Sequence, residues 1–515
     1  MNKSTQAYIQ CFLAIKIAYF QQNCLSLISM EEDYFFMLSF LVLPFLYLIY
    51  KIFNSFNPPL PPGPIPWPVL GNLYYIKTMD HVSLANLATK HGPLMLLREG
   101  LQYLVIGSSS TAAIEILKTK DRVFSARAVP NAVPLTRSEI DQLSVWADAS
   151  CENFKNIRTM CRAELFSSKA LESQEVLRDK KIMEMVEFFR AKDGLVVNFD
   201  KCVYATVVNM FTNAFFSRDL VRLEEEGSDN PVKGLLRGII GAIGAPNLSD
   251  AYPFLSKLDL QGMRKKHREL SMRVHALWEP IVKERRKRRR GGLSHQDFLD
   301  TLLNNGFTDY QIHKLLEELV TAGIDTTTST INRTIVELIN NPECMKKLQE
   351  ELDTEFNQDL LKTSNLAQLP YLQACVKETL RLHPPAPLML SHRALETCQV
   401  MNYTVPKNAR VLVNVWAIGR DPSTWDMPSE YRPNRFLNSA LDFKGNDFEF
   451  LPFGAGRRIC PGLPMATKIV PAVIASLVYF LNWSLPQGND PAIYEKLRAT
   501  SDLIEPLLLI PKSRK

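Results

Sequence analysis

One cysteine of this 515-residue chain lies in a loop whose residue types suit a metal ligand. The loop reads Phe453-Gly454-Ala455-Gly456-Arg457-Arg458-Ile459-Cys460-Pro461-Gly462. Its glycines permit turns and close approaches that a Cβ would block, and the backbone N–H groups of such a loop can point at an anionic sulfur. The two arginines add positive charge, and the thiolate is the metal-binding form of cysteine. We therefore expect Cys460 to bind a metal, with a buried structural cysteine as the alternative.

A second segment places an acid and several hydroxyls inside a helical pattern. It reads Glu318-Leu319-Val320-Thr321-Ala322-Gly323-Ile324-Asp325-Thr326-Thr327-Thr328-Ser329-Thr330. Its hydroxyls compete for backbone carbonyls, and the glycine and β-branched residues weaken the helix, which predicts a local bulge or kink. Such a bulge would make room for a small ligand beside Asp325 and Thr326. A polar helix face or an N-cap is the alternative interpretation.

A third group of charged residues has helical spacing. Glu378 and Arg381 are three residues apart and lie on one helix face. Taken alone, they form an ordinary surface ion pair of small energetic value. Further along, Arg435 in the segment Tyr431-Arg432-Pro433-Asn434-Arg435-Phe436 offers a second guanidinium for the same carboxylate.

The composition predicts a folded, mainly helical protein. With 60 basic and 54 acidic residues the net charge is +6, so we expect no nucleic-acid partner. Nine cysteines without a CxxC pair indicate neither a zinc site nor a disulfide framework. Helical periodicity over 111–119 and most of 151–380, with strand-like runs at 94–97 and 101–106, predicts a mainly α fold with a small β-sheet region.

The densest basic run covers 282–292 and ends in two glycines. Charge runs are usually solvated, which favours an exposed helix end and loop. The alternative is a contact for anionic lipid or for an acidic redox partner.

An uncharged run near the N-terminus, Tyr34–Tyr50, is long enough to span a bilayer as a helix. Three acids precede it and Lys51 follows it, so the positive-inside tendency places the body on the cytosolic side. We predict a retained membrane anchor over 30–53. A buried core helix and a cleaved signal peptide are the alternatives.

Two segments flank the anchor. Met30 is followed by two acids and makes a natural start, so we expect residues 1–29 to be an extension in the gene model. After the anchor, closely spaced prolines disfavour helix and predict a stiff hinge over 54–68. The body then covers 69–515.

The cysteine loop resembles the haem-binding loop of the cytochrome P-450 superfamily at every position that the superfamily keeps fixed. These positions are Phe453, Gly456, Arg458, Cys460 and Gly462. With the acid and alcohol pair and the proline-rich hinge, nearly the whole chain is similar to the plant microsomal type. This resemblance implies a single large haem-thiolate domain with haem b bound through Cys460. It also implies a monooxygenase that uses O2 and electrons from NADPH, delivered by an NADPH-cytochrome reductase.

The resemblance also implies roles for other residues. Asp325 and Thr326 would guide protons, while Glu378, Arg381 and Arg435 would form a structural lock behind the haem loop. Buried haem propionates need cationic or hydrogen-bonding partners. The implied partners are Arg458, Arg158 and His392.

Two positions depart from the family pattern. Phe154 stands where the family has a tryptophan, which removes an indole N–H donor and weakens one propionate contact. Asn434 stands where the family more often has glutamate, a change we expect to be tolerated because Arg435 and Phe436 remain.

The implied substrate pocket is largely apolar and suits a hydrophobic substrate. Its candidate residues are Ala322, Gly323, Pro387, Leu388, Met389 and Leu503. Asp141, Asp325 and Glu505 are candidates for pairing with an alkaloid ammonium.

Within the superfamily, Pro246–Asp250 and Glu396–Tyr403 look most similar to the group of N-methylcoclaurine hydroxylase, corytuberine and berbamunine synthases and littorine mutase. This implies hydroxylation or oxidative coupling of a hydrophobic plant metabolite such as a benzylisoquinoline alkaloid. It also implies a single-pass endoplasmic reticulum protein in contact with membrane lipid. The alternatives are a geraniol-type monoterpenol hydroxylase, a haem-thiolate isomerase that takes no electrons, and a non-catalytic haem-binding member of a membrane complex.

Overall fold

A computed structural model describes residues 59–76, 80–223, 231–289, 297–356, 363–486 and 506–515. The predicted extension, the membrane anchor, the first part of the hinge and the pocket residue Leu503 lie outside these ranges. The described residues from Pro61 onward, apart from Asn402–Thr404, belong to one compact unit. The cysteine loop and the other described candidate residues belong to this unit.

Helices dominate the described residues, as predicted. They are α1 Leu73–Ile76, α2 His81–His91, α3 Ser110–Ile114, α4 Arg137–Ile140, α5 Glu152–Glu164, α6 Ser168–Ser173, α7 Glu175–Ala191, α8 Phe199–Phe216, α9 Pro231–Gly244, α10 Leu248–Ala251, α11 Met263–Arg289, α12 Phe298–Asn304, α13 Asp309–Asn340, α14 Pro342–Glu355, α15 Pro370–Leu382, α16 Val415–Ile418 and α17 Leu463–Phe480. A π-helical turn, Glu115–Thr119, follows α3 directly, and short 3₁₀ turns cover Pro253–Leu255, Thr363–Gln368, Pro433–Phe436 and Gly456–Arg458.

The strands are short and form small sheets. They are β1 Leu94–Glu99, β2 Gln102–Gly107, β3 Ala126–Arg127, β4 Val197–Asn198, β5 His392–Arg393, β6 Cys398–Val400, β7 Tyr403–Val405, β8 Arg410–Val413, β9 Leu481–Ser484 and β10 Leu508–Ser513. The first sheet has the order β1-β2-β8-β5-β3, in which only β2 and β8 are parallel, and the second has the order β4-β10-β9. The predicted hairpin is confirmed, because β1 pairs with β2 antiparallel.

The described end of the proline-rich segment lies against the first sheet. The Pro62 carbonyl accepts a hydrogen bond from the Leu96 N–H at 2.9 Å. An added Cβ on Gly63 would lie 1.9 Å from the Leu96 carbonyl oxygen, so glycine is needed for this approach. The hinge itself and its bounds stay a prediction.

Helix α13 runs through the core and carries the predicted acid and alcohol pair. Thr308 begins it with a capping box completed by Gln311, and the helix packs against α8, α15 and α17. The predicted bulge does not interrupt it, since the helix is continuous from Asp309 to Asn340. Instead, the Thr326 hydroxyl donates to the Ala322 carbonyl at 2.7 Å, one turn back. Hydroxyl bonding of this kind can be accommodated without breaking the helix.

Helix α17 begins immediately after the cysteine loop and fixes the loop to the core. Among the described residues it is the one helix long and apolar enough to cross a membrane, by length and composition. Most of its side chains are buried, and it packs against α7, α13 and α15. It is therefore a core helix, and its first turn supplies a rigid edge for Cys460.

Candidate functional site

The cysteine loop is closed by its own backbone. The Cys460 N–H donates to the Phe453 carbonyl at 2.9 Å. Gly456 has a φ of 65°, and an added Cβ there would lie 2.1 Å from the Leu117 carbonyl oxygen of the π-helical turn. Both the backbone conformation and this close approach require glycine. The sequence pattern is therefore explained locally, because the loop can seat on the π-helical turn only without a side chain at this position.

The Cys460 thiol is half-buried at the start of α17. Burial raises the pKa of this thiol, while hydrogen bonds from the Gly462 and Leu463 N–H groups and the charge of Arg158 lower it. Burial outweighs these effects, so a stable thiolate at neutral pH needs a further positive group such as a metal ion.

The expected roles of the two neighbouring arginines need correction. The Arg457 guanidinium points to Asp121, with Nε 3.2 Å from the carboxylate, and half of its side chain is exposed. Arg458 donates to backbone carbonyls, including that of Ser125 at 2.7 Å. The guanidinium that lowers the thiol pKa is that of Arg158, which donates to the Ile459 carbonyl at 2.7 Å. Arg158 was not predicted to act on the thiol because it is about 300 residues from Cys460 along the chain.

Three guanidiniums gather beside the loop without a carboxylate partner. Arg127, Arg158 and Arg458 lie outside salt-bridge distance of any carboxylate in the described part of the chain. Burial, and then the charges of Arg458 and Arg158, lower the pKa of Arg127 to about 9. Burial likewise lowers the pKa of Arg458 to about 10. Buried charge of one sign is costly unless an opposite charge meets it, so this arrangement suits an anionic ligand.

Arg127 is the member of this cluster that sequence reasoning missed. Its Nη1 donates to the Leu390 carbonyl at 2.6 Å, whereas its buried Nε has no hydrogen-bond partner in the described residues. It stands on β3 directly opposite His392 of β5. Only this strand pairing brings the two together, and no local motif marks it.

The predicted lock residues meet where α15 packs on the 3₁₀ turn Pro433–Phe436. Glu378 is fully buried and accepts from Arg381 Nε at 2.7 Å and Nη2 at 2.8 Å, and from Arg435 Nε at 3.0 Å. Arg381 also donates to three backbone carbonyls, those of Gly419, Pro428 and Glu430. The two-point arginine contact and the carbonyl bonds satisfy the buried charges.

The acid and alcohol pair separates on α13. Thr326 and Ala322 are exposed on one face of the helix. The Asp325 carboxylate instead lies 3.5 Å from Arg237 Nε of α9. Gly323 lies on a different face of α13, because a Cβ added to it would lie 2.3 Å from the Phe211 ring of α8. Of the two predicted pocket residues here, Ala322 is therefore on the accessible face, while the Cβ direction of Gly323 points into the core.

A family model described as Cytochrome P450 matches residues 61–509. The chain belongs to the cytochrome P450 family. It is therefore a mainly helical P450 domain with small sheets, and an oxidoreductase of the monooxygenase type.

Several curated P450s are similar over almost their full length. The chain is 44% identical over 480 residues to probable (S)-N-methylcoclaurine 3'-hydroxylase isozyme 2 of Coptis japonica, covering 92% of this chain and 97% of that protein. It is 43% identical over 462 residues to corytuberine synthase of Coptis japonica, covering 88% and 94%. It is 37% identical over 477 residues to berbamunine synthase of Berberis stolonifera, covering 91% and 97%.

The residues beside Cys460 fit the haem that P450s hold. A haem brings an iron that can stabilise the thiolate and two propionates that carry negative charge. The structure offers a half-buried thiol at a helix N-terminus and three guanidiniums without carboxylates, one with an unbonded Nε. Cys460 would hold the iron, and Arg127, Arg158 and Arg458 would hold the propionates.

His392 and Phe154 both lie beside the three guanidiniums. The buried His392 ring shares a hydrogen bond between Nδ1 and the Phe124 carbonyl at 2.6 Å, and burial lowers its pKa to about 3. A neutral ring then donates from Nδ1 and has only an acceptor at Nε2, so the predicted contact of His392 with a propionate does not fit this protonation state. The Phe154 ring centre lies 4.5 Å from the Arg458 guanidinium and 5.6 Å from that of Arg158. It offers no N–H donor, as expected, but it stacks against both arginines.

The remaining described pocket residues, Pro387, Leu388 and Met389, each have different neighbours. Met389 lies against the P450 loop, with Sδ 3.8 Å from an added Cβ on Gly454. Leu388 packs against the apolar core of the first sheet, so its side chain is committed to that core. Pro387 is half-buried, and its carbonyl accepts from the Trp416 N–H at 3.3 Å.

Proposed function

We propose that this P450 oxidises an alkaloid, a benzylisoquinoline in the first instance, by hydroxylation or by phenol coupling. The similarity to N-methylcoclaurine hydroxylases over 97% of their length carries the substrate class. The geometry around Cys460 supports the chemistry, since a haem held there supplies the oxidising power that amino-acid side chains lack.

The chain's own residues would divide the work as follows. Cys460 is held by the Gly462 and Leu463 N–H groups, which stabilise negative charge on its sulfur. The Thr326 hydroxyl donates its hydrogen to the Ala322 carbonyl. Its oxygen lone pairs can therefore accept a hydrogen bond from a donor on the accessible face of α13. Asp325 is held beside Arg237 and would take up a proton from solvent and release it toward the accessible face of α13 by rotating away from that guanidinium.

We also propose that the protein resides in the endoplasmic reticulum membrane, with the body facing the cytosol and NADPH as the electron source through a reductase. An apolar surface of the described body supports lipid contact. Its residues, each more than half exposed, are Ile65, Trp67, Val69, Leu70, Tyr74, Phe254, Leu258 and Leu260. The Tyr252 hydroxyl donates to the Val69 carbonyl at 3.2 Å and joins the two segments. Exposed apolar patches of this kind mark interaction surfaces.

The test of substrate class uses microsomes that contain the full chain and a plant reductase. With NADPH and O2, they are offered benzylisoquinolines, tropane esters and monoterpenols, and products are read by mass. We expect oxidised or coupled benzylisoquinoline products that need both NADPH and Cys460. Oxidation of monoterpenols alone would favour the geraniol-type alternative. No turnover by a haem-loaded protein would favour the non-catalytic alternative.

The test of location uses the full chain expressed in a plant cell. We expect it in the carbonate-resistant microsomal pellet, with the body cleaved by protease added to intact microsomes. Recovery in the supernatant, or protection of the body from protease, would contradict the proposed location and orientation.

A further inference from the structure

Helix α13 carries an acid on the same face as Thr326. Glu318, Ala322 and Thr326 are four residues apart, so they form one stripe along the helix. Ala322 and Thr326 are exposed and Glu318 is partly exposed, whereas Ile324 and Thr327 on other faces are buried. At 1.5 Å rise per residue, Glu318 lies about 6 Å along the helix from Ala322. The Glu318 carboxylate is therefore attached to the helix one turn before Ala322, the middle residue of this exposed face.

The Glu318 carboxylate is held by backbone groups and not by a cation. Its Oε2 accepts from the Ser144 N–H at 2.9 Å and its Oε1 accepts from the Val145 N–H at 3.2 Å. In the described part of the chain no lysine, arginine or histidine lies within salt-bridge distance of it. Two neutral donors leave lone pairs on both oxygens unused.

The charges around Glu318 do not balance it. Its neighbour Glu317 raises its pKa, and Lys314 lowers it. The Lys314 ammonium is already bonded to the Ser271 hydroxyl at 2.9 Å and to Glu317 at 3.3 Å. Arg458 and Cys161 lie within electrostatic range, and Arg458 donates to the Val145 carbonyl at 3.3 Å. Burial dominates these effects and raises the pKa of Glu318 to about 7.

We propose that Glu318 is the counterion for a protonated amine of the substrate. This inference rests on the proposed function and deepens it, because it defines the substrate as a cationic amine. A ligand ammonium would supply both the missing charge and hydrogen-bond donors for the unused lone pairs. Glu318 thus acts as a substrate-binding residue that selects for charge.

The acids named from the sequence serve this role less well. Asp141 lies 3.4 Å from Arg137 Nε, and Asp325 lies 3.5 Å from Arg237 Nε, so each already has a cationic partner. Glu505 lies outside the described residues. Sequence reasoning passed over Glu318 because helix register alone does not show that Ser144 and Val145, which precede α5, bind its carboxylate.

The test measures equilibrium binding of matched ligands to the haem-loaded full chain in lipid nanodiscs. The cationic probes are 1-benzyl-2-methyl-tetrahydroisoquinoline and its quaternary N,N-dimethyl form, and the neutral probe is the N-acetyl form of the same skeleton. Equilibrium dialysis gives Kd for wild type, Glu318→Gln and the matched control Asp141→Asn. The CO difference spectrum of each variant verifies that the haem site is intact.

We expect Glu318→Gln to weaken binding of both cations about tenfold or more, because the neutral amide no longer attracts a positive charge in a site of low dielectric. Binding of the neutral probe changes less than about twofold, and Asp141→Asn changes none of the three by more than that. Equal losses for cationic and neutral probes would overturn the proposal, since Glu318 would then only hold the backbone of Ser144 and Val145 in place. Unchanged cation binding would overturn it too.

The quaternary probe adds a second readout, because its charge does not change with pH. Its affinity for wild type should rise between pH 6 and 8 as Glu318 ionises, and should stay level for Glu318→Gln. A level profile in wild type would contradict the proposal. Turnover of a neutral benzylisoquinoline analogue without cation selectivity would leave the proposed function standing while removing this inference.

Discussion

At the scale of single residues, the structure gives Phe154 a role that the sequence did not predict. The sequence shows only the loss of an indole donor, whereas the structure places the ring against Arg158 and Arg458. The ring is buried beside Ala147, whose carbonyl accepts from Arg458. Phe154 is therefore a positioning residue for two of the three guanidiniums.

Replacing Phe154 should loosen the haem. Each cation–π contact is worth about 0.5–2 kcal/mol, so Phe154→Leu should speed haem loss several-fold. Phe154→Trp keeps an aromatic face and adds an N–H donor, so it should lose haem no faster than wild type. The rate of haem transfer to apomyoglobin measures both variants. An unchanged rate for Phe154→Leu would show that the stacking does not position the arginines.

Gly323 is a second residue whose role differs from the sequence-based expectation. Because an added Cβ would meet the Phe211 ring at 2.3 Å, Gly323→Ala should destabilise the fold by about 1–3 kcal/mol, as overpacked cores do. Phe211→Leu should restore part of this loss in the double variant. Urea unfolding curves of the two single variants and the double variant test this coupling. Additive losses would contradict the contact.

Residue motifs predicted the site unevenly, and the reason is physical. Cys460 follows from the residue types of its loop, whereas the lock around Glu378 followed from the family resemblance, because helix spacing alone predicts a surface ion pair. Arg127 and the outward turn of Arg457 depend on how strands and loops meet, which spacing along the chain does not encode. Glu318 escaped notice for the same reason.

At the scale of elements, the lock joins α15 to the 3₁₀ turn Pro433–Phe436. Arg435→Ala removes a hydrogen bond to the fully buried Glu378, so we expect a loss of about 1.5–3 kcal/mol. The matched control is Arg432→Ala, because the Arg432 side chain pairs with the exposed Asp426 and should cost little. Urea midpoints of the two variants give the comparison. Equal losses would mean that the lock contributes no more than a surface pair.

Contacts between α11 and α13 predict a pH dependence. Burial raises the pKa of Glu317, but the hydrogen bond from His275, the charge of Lys314 and the Ser271 hydroxyl outweigh burial and lower this pKa from 4.5 to about 2. A depressed carboxyl pKa stabilises the fold above the unfolded value, and that stability is lost as pH falls toward the folded value.

This lowered pKa corresponds to a contribution of about 3 kcal/mol by Glu317 to the free energy of unfolding at neutral pH. The gap in stability between wild type and Glu317→Gln should therefore narrow as pH falls from about 4.5 toward 2. Urea unfolding across this range measures the gap, with Glu269→Gln on the exposed face of α11 as control. A gap that stays constant with pH would contradict the assignment.

The basic run at 282–292 shows where element-level prediction stops. The helix prediction is confirmed, since α11 extends to Arg289. Arg285, however, is buried and pairs with Asp297 and Asp300 at 2.8 and 3.0 Å. Arg286 pairs with Asp309 at 2.5 Å. Much of the charge thus joins α11 to its neighbours, which a solvated run does not predict.

At the scale of the whole molecule, the mainly helical class and the hairpin followed from periodicity alone. The apolar helix α17 illustrates what periodicity leaves open, because the same composition suits a membrane span or a core helix. Packing against α7, α13 and α15 decides for the core. The P450 family then follows from the match over 61–509 together with the site built on that core.

The central claim is that Cys460 is the ligand of a thiolate-bound haem. The reduced CO difference spectrum of the full chain tests it most directly, with Cys460→Ser and the half-buried free thiol variant Cys398→Ser measured alongside. We predict the thiolate-haem band in wild type and in Cys398→Ser, and its loss in Cys460→Ser. A band that persists in Cys460→Ser, or its absence from haem-loaded wild type, would contradict the account.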